Sequence, residues 1–146
     1  MKTKELKRFE IISNKTGFIS SKVITSQDAF NVIEQFYHSD IAIYESVFIL
    51  LLDRSNNTIG YAKISQGGIS GTVVDVKIIG KYIVDTLASG LILAHNHPSG
   101  NLRASESDIK MTNNVKEVCK ILDCTFLDSL IVTENGYTSL TDEGLI

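Results

Sequence analysis

Two of the chain's three histidines stand two residues apart, in Leu93-Ala94-His95-Asn96-His97-Pro98-Ser99-Gly100, and the run Ser105-Glu106-Ser107-Asp108 follows. Two imidazoles and one carboxylate form a three-ligand set for a divalent ion, and on zinc that count leaves one position open for water. Side chains alternate along a strand. His95 and His97 are therefore expected on one side, at the carboxyl end of an apolar strand over 91–95, where α/β sites tend to lie. Asn96 points the other way. Pro98 holds His97 to extended backbone, which keeps that geometry.

Each part of the set has a plainer reading. A His-x-His pair also occurs as two ordinary polar residues at a strand end. Ser105-x-x-Asp108 at a helix start is a capping-box-like pattern, in which Ser105 caps the first turn and Asp108 satisfies its N–H groups and dipole. The two readings of Asp108 are partly compatible, because a cap fixes where the first turn points. A metal-activated water also needs a base, and Glu10, Glu34 and Glu45 are the upstream candidates. Glu10 is expected on an early strand, Glu34 on the solvated face of a helix, and Glu45 at the sheet rim just before a strand. His38, after that helix, reads as a charge at a helix C-terminus and not as a ligand.

The elements that must position these groups follow from hydrophobic period. Residues 9–12 read as a short first strand and 15–17 as a turn, with 18–24 irregular or extended. Ala29, Ile33 and Phe36/Tyr37 give one apolar face of a helix from an N-cap at Ser26 to about Tyr37. Residues 47–52 are apolar on both alternating faces, as in a central strand covered on both sides. The turn chemistry of 53–57 then returns the chain as a partner strand over 58–65. Val76, Ile79, Ile83 and Leu87 mark a second helix that contains Gly80 and is ended by Ser89-Gly90. A third helix runs from Ser105 to about Leu122, with Ile109, Thr112, Val115, Cys119 and Leu122 on one face. Strands over 126–132 and 137–140 follow, and Glu134-Asn135-Gly136 is expected to join them in a tight hairpin. Alternating helices and strands, with hairpins dominating the sheet, predict a three-layer or sandwich-like α/β domain with a mixed sheet.

Composition narrows the classes. The chain has 146 residues, 43% of them hydrophobic, and Pro98 is its only proline, which fits one domain over 1–146 with no linker. A net charge of −3 argues against a dedicated nucleic-acid binder, which usually carries a basic face. The locally basic first eight residues read as a solvated arm. Cys119 and Cys124 are expected as reduced, core-facing thiols in a cytoplasmic protein without a signal peptide. The longest uncharged apolar run, over 47–52, is too short to cross a membrane.

Glu45, then His95-x-His97-Pro98, then Asp108 after the ten residues from Pro98 to Ser107, resemble the JAMM (MPN+) metalloprotease motif, and Ser105 falls on that motif's serine. The string from Leu93 to Gly100, Ser70-Gly71-Thr72, Leu127-Asp128 and Tyr137-x-Ser139-Leu140 resemble the RadC branch of that family. The likeness covers roughly residues 40–146, a catalytic core preceded by the strand and helix of 9–38. It implies a cytidine-deaminase-like α/β/α fold and one zinc per chain held by His95, His97 and Asp108. It also implies that Glu45 is the general base and that Ser105 assists the oxyanion. The reaction implied is hydrolysis of a peptide or isopeptide bond. Two other classes stand beside it: a nucleic-acid-binding or nuclease module of DNA repair or mobile elements, from the branch's association with repair, and a scaffold with a structural metal. The chain departs from the RadC pattern at Ser129, where His is usual, at Lys77 for Arg, and at Ala104 for Pro. Full-length relatives of this branch carry a helix-hairpin-helix DNA-binding region, and this chain is expected to start too close to the catalytic part to hold one.

Overall fold

The computed structural model describes residues 5–10, 12–68 and 72–146. Helix α1 (Ser26–Ile33) leads through short 3-10 turns at Glu34–Phe36 and Ser39–Ala42 into the hairpin β1 (Ser46–Leu52) and β2 (Thr58–Gln66). Helix α2 (Val76–Thr86), β3 (Gly90–Asn96), α3 (Glu106–Ile121) and the hairpin β4 (Thr125–Thr133) and β5 (Gly136–Ser139) complete the chain. The five strands form one mixed sheet in the order β2-β1-β3-β4-β5. Only β3 and β4 run parallel, joined by α3; the other pairs are antiparallel.

β1 and β3 lie inside the sheet and are buried at every residue, which accounts for their unbroken apolar runs. Their alternating side chains feed two cores. Phe48, Leu50, Leu52, Ile92 and Ala94 pack with Ala29, Ile33 and Phe36 on the α1 side. Val47, Ile49, Leu51, Leu91 and Leu93 pack with Ile79 and Ile83 of α2 and Val115 and Cys119 of α3 on the other. The result is the three-layer α/β/α arrangement with a mixed sheet. Cys119 and Cys124 are both free and buried, as expected.

Several boundaries differ from the sequence expectation. The N-cap of α1 is Thr25, not Ser26: its hydroxyl accepts from the Asp28 N–H and Asp28 returns the bond, a full capping box. Ser26 instead reaches Tyr137 and Asp142. The α-helical part stops at Ile33, so exposed His38 is not a helix C-terminal charge but the N-cap of the second 3-10 turn. Phe9, Glu10 and Ile12 form no strand and are exposed, and Ile11 lies outside the described residues, as do Ser70 and Gly71. Leu87 does not join the core face of α2. It is 83% exposed and closes the helix in the left-handed region at φ 53°, a position glycine usually takes. Gly90 serves packing instead, since a Cβ there would lie 3.2 Å from a Leu127 methyl and 3.4 Å from Leu52. The β4–β5 loop is Glu134-Asn135, with Gly136 already in β5 at φ 141°.

Candidate metal centre

β3 delivers both histidines. His95 is its penultimate residue and fully buried, on the face shared by Leu91, Leu93 and α3. His97 lies one residue past the strand, but its N–H still bonds the Val132 carbonyl at 3.1 Å, so the alternation carries through. The turn beyond it has Pro98 second and Gly100 fourth and is closed by the Gly100 N–H on the His97 carbonyl at 3.0 Å. This bends the chain back toward α3. As expected, His95 and His97 share one side and Asn96 takes the other.

α3 delivers the carboxylate. Ser105 is its N-cap: the Ser105 hydroxyl accepts from the Asp108 N–H at 3.1 Å, and Asp108 Oδ2 accepts from the Ser105 N–H at 2.8 Å. Asp108 is only 7% exposed and begins the buried stripe Asp108, Thr112, Val115, Cys119. The capping box and the inward aim therefore coexist in one side chain.

The three groups converge. Asp108 Oδ1 lies 3.1 Å from His95 Nε2, Asp108 Oδ2 lies 3.1 Å from His97 Nε2, and the two Nε2 atoms are 3.1 Å apart. The residue just before β1 adds the fourth group. Val47 pairs with His95, and the same antiparallel register continued two residues sets Glu45 opposite His97 on the same face. Glu45 is half-buried, and one ligand atom from each of Glu45, His95, His97 and Asp108 falls within 4.8 Å of the others. Glu10 and Glu34 are exposed and stand outside this group.

The electrostatics follow from this packing. Burial works to raise the Asp108 pKa, but the imidazole hydrogen bonds and the Ser105 N–H outweigh it and hold the carboxyl far below its ordinary value. The Asp108 hydrogen bond raises the His97 pKa against the effect of burial. Burial raises the Glu45 carboxyl; the histidines oppose that shift and Asp108 adds to it.

The donor set fits a zinc ion. Tetrahedral zinc with bonds of about 2.0–2.1 Å separates its ligand atoms by about 3.3–3.4 Å, close to the 3.1 Å between the two Nε2 atoms and the 3.1 Å from each to its own oxygen of Asp108. His97 Nδ1 lies 2.6 Å from the Asn101 carbonyl. A carbonyl only accepts, so Nδ1 carries a proton, and Nε2 is the nitrogen that would give its lone pair to an ion in place of the proton it shares with Asp108. His95 Nδ1 is the buried side-chain polar atom left without a partner among the described residues. Its ring is thus oriented from the Nε2 side, toward the cluster.

A cleft of about 410 Å³ opens on the group, lined by Glu45, Thr72, Val74, His97, Ser105 and Met111 among others. That volume suits a small substrate segment. The Ser105 hydroxyl is exposed and lies 3.0 Å from the Ser107 hydroxyl. Of the departures from the RadC pattern, Ser129 is buried beneath α3 on Thr112 at 3.1 Å, Lys77 is exposed in the first turn of α2, and Ala104 precedes the cap.

Two residues that sequence reasoning assigned no part in the site hold the start of β1 and the segment before it. Asn96 bonds its backbone with both ends of the amide, and the Tyr37 hydroxyl donates to the Ser46 carbonyl at 3.0 Å. Asn96 had one sequence signal, a polar residue in an otherwise apolar buried strand. Tyr37 had none.

A model of the RadC-like JAB domain matches residues 23–145. A UPF0758 protein of Flavobacterium johnsoniae is 42% identical over 124 residues, which is 85% of this chain and 53% of that protein. A UPF0758 protein of Porphyromonas gingivalis is 40% identical over 125 residues, 85% of this chain and 54% of that one. One from Aquifex aeolicus is 34% identical over 132 residues, 90% and 56% respectively. The chain spans about half the length of the curated relatives it matches.

Proposed function

The chain belongs to the RadC-like JAB domain family, and from that premise we propose that it is a zinc-dependent hydrolase of peptide or isopeptide bonds. The observation that carries the proposal is the convergence of two imidazole nitrogens 3.1 Å apart, each 3.1 Å from an oxygen of one carboxylate, with a second carboxylate beside them. His95, His97 and Asp108 would hold the ion. A bound zinc supplies Lewis acidity and brings water within reach of deprotonation at neutral pH.

The chain's own groups do the rest. Glu45, which lines the cleft, takes the proton of the attacking water and returns it to the leaving amine. The exposed Ser105 hydroxyl donates to the carbonyl oxygen as charge develops there. The His97–Asn101 and Asp108–Ser105 bonds keep the ligand side chains in place as the cleft fills.

The test joins metal content to turnover. Protein purified without chelator is expected to carry about one zinc per chain by elemental analysis, and His97→Ala to lose it. Glu45→Gln is expected to keep the metal and lose cleavage across libraries of quenched fluorescent peptides and ε-lysyl isopeptides. Metal-free wild type, or equal cleavage by Glu45→Gln, sinks the proposal. Salt-dependent DNA binding that survives Glu45→Gln, in a protein that cleaves neither library, supports the nucleic-acid alternative instead.

A further inference from the structure

The His-x-His tripeptide has a middle residue, and its side chain is as fully committed as its neighbours'. Asn96 is completely buried and points to the α1 side of the sheet. Its Oδ1 accepts from the Ser46 N–H at 2.7 Å. Its Nδ2 donates to the Ile41 carbonyl at 2.6 Å and to the Tyr44 carbonyl at 2.8 Å. Two carbonyls against one end and an N–H against the other leave a single amide orientation.

Tyr44 and Ser46 flank Glu45. The carbonyl before it and the N–H after it are both bound to Asn96, and the Glu45 carbonyl accepts from the Gly67 N–H at 2.8 Å. The peptide groups on both sides of the Glu45 Cα are thereby held, although Glu45 lies outside β1. We infer that Asn96 is a positioning residue for Glu45: the strand tip that aims His95 and His97 to one face uses the residue between them to hold the backbone of the base. Strand alternation makes this division of labour possible, since the middle side chain faces away from the ion. Residue chemistry restricts it. Aspartate lacks the two donors, serine and threonine have only one, and glutamine is a methylene too long.

The inference rests on the proposed role of Glu45, so its test begins in metal-free protein, where that role does not matter. In Asn96→Ala the amides of Ser46 and Gly67 are expected to exchange with solvent about ten- to hundredfold faster, as loss of a buried hydrogen bond implies. Ladder amides such as that of Leu93 are expected to keep wild-type rates, and the binding isotherm for Zn2+ alone to stay where it was. On the library peptide that wild type cleaves fastest, kcat is expected to fall about hundredfold with KM held, as for a misplaced catalytic group. Unchanged exchange at Ser46 and Gly67 overturns the inference, and so does acceleration spread evenly through β1 and β3. If Asn96→Ala does not fold, Asn96→Asp decides. It keeps an acceptor for Ser46 and removes both donors, so Ser46 should stay slow while Gly67 speeds up; an unchanged Gly67 overturns the inference. If wild type cleaves nothing, the hydrolase proposal fails and the exchange arm still decides whether Asn96 holds the segment.

Discussion

Asp108 carries two duties that ordinarily compete for a carboxylate. Its Oδ2 caps the helix through the Ser105 N–H, and both oxygens face imidazoles. The duties coexist because a cap needs one lone pair and a carboxylate has about four. The backbone N–H, not the Ser105 side chain, holds the carboxylate. Ser105→Ala is therefore expected to cost about 1 kcal/mol of stability in urea unfolding, while zinc stoichiometry stays at the wild-type value. Of the site, residue types and spacing made the two histidines and Asp108 legible. Glu45 was one of three upstream carboxylates until the motif likeness selected it. Asn96 looked idle because nothing in local sequence says that residues 41–46, fifty positions upstream, end against it.

Among the elements, α3 and β3 were the easiest to read, because both are long enough to show a full period. Thr112, Val115 and Cys119 repeat at helical spacing and are buried as expected, but that Asp108 heads this inward stripe is seen only in the structure, since its local sequence signal is that of a cap. Element ends were harder. Thr25 displaced Ser26 as N-cap because it has a reciprocating Asp28. Leu87 fits the apolar period of α2, but the helix ends at Thr86, one residue before it, and the chain must swing into β3. Inside α2, a Cβ on Gly80 would meet Leu122 at 3.5 Å and Val118 at 3.6 Å, ordinary contacts. Gly80→Ala is therefore expected to stabilise the protein by up to about 1 kcal/mol, seen as a higher urea midpoint with an unchanged slope. A lower midpoint would mean that α2 and α3 cannot absorb the methyl.

At the scale of the whole molecule, the site sits where α3, β1 and β3 meet, so an ion there ties together parts of the chain far apart in sequence. A ligand that binds only the folded state stabilises it by about 2.7 kcal/mol at a hundredfold excess over Kd, or about 5–10 °C of Tm for a chain of this size. Scanning calorimetry with Zn2+ and then with chelator should show that shift and its reversal. It should also depend on pH. The raised pKa of His97 stabilises the metal-free protein below the ordinary histidine value, and this contribution is lost as pH rises through the raised one. Zinc needs the same nitrogen unprotonated. The zinc-induced shift should therefore grow as pH rises through and above about 6.5; a shift that shrank over that range would place the ion elsewhere. Among the described residues no helix is long and apolar enough to cross a membrane. By itself the sequence determined the α/β class, the central strands, the His-x-His tripeptide and the helix that carries Asp108 in its first turn, because each is written in a local period or motif. Only the tertiary structure decided the sheet order, the register that sets Glu45 opposite His97, and the clamp from Asn96. These depend on which distant segments pair, and long-range pairing is fixed by packing of the two cores and not by the pattern of any one segment.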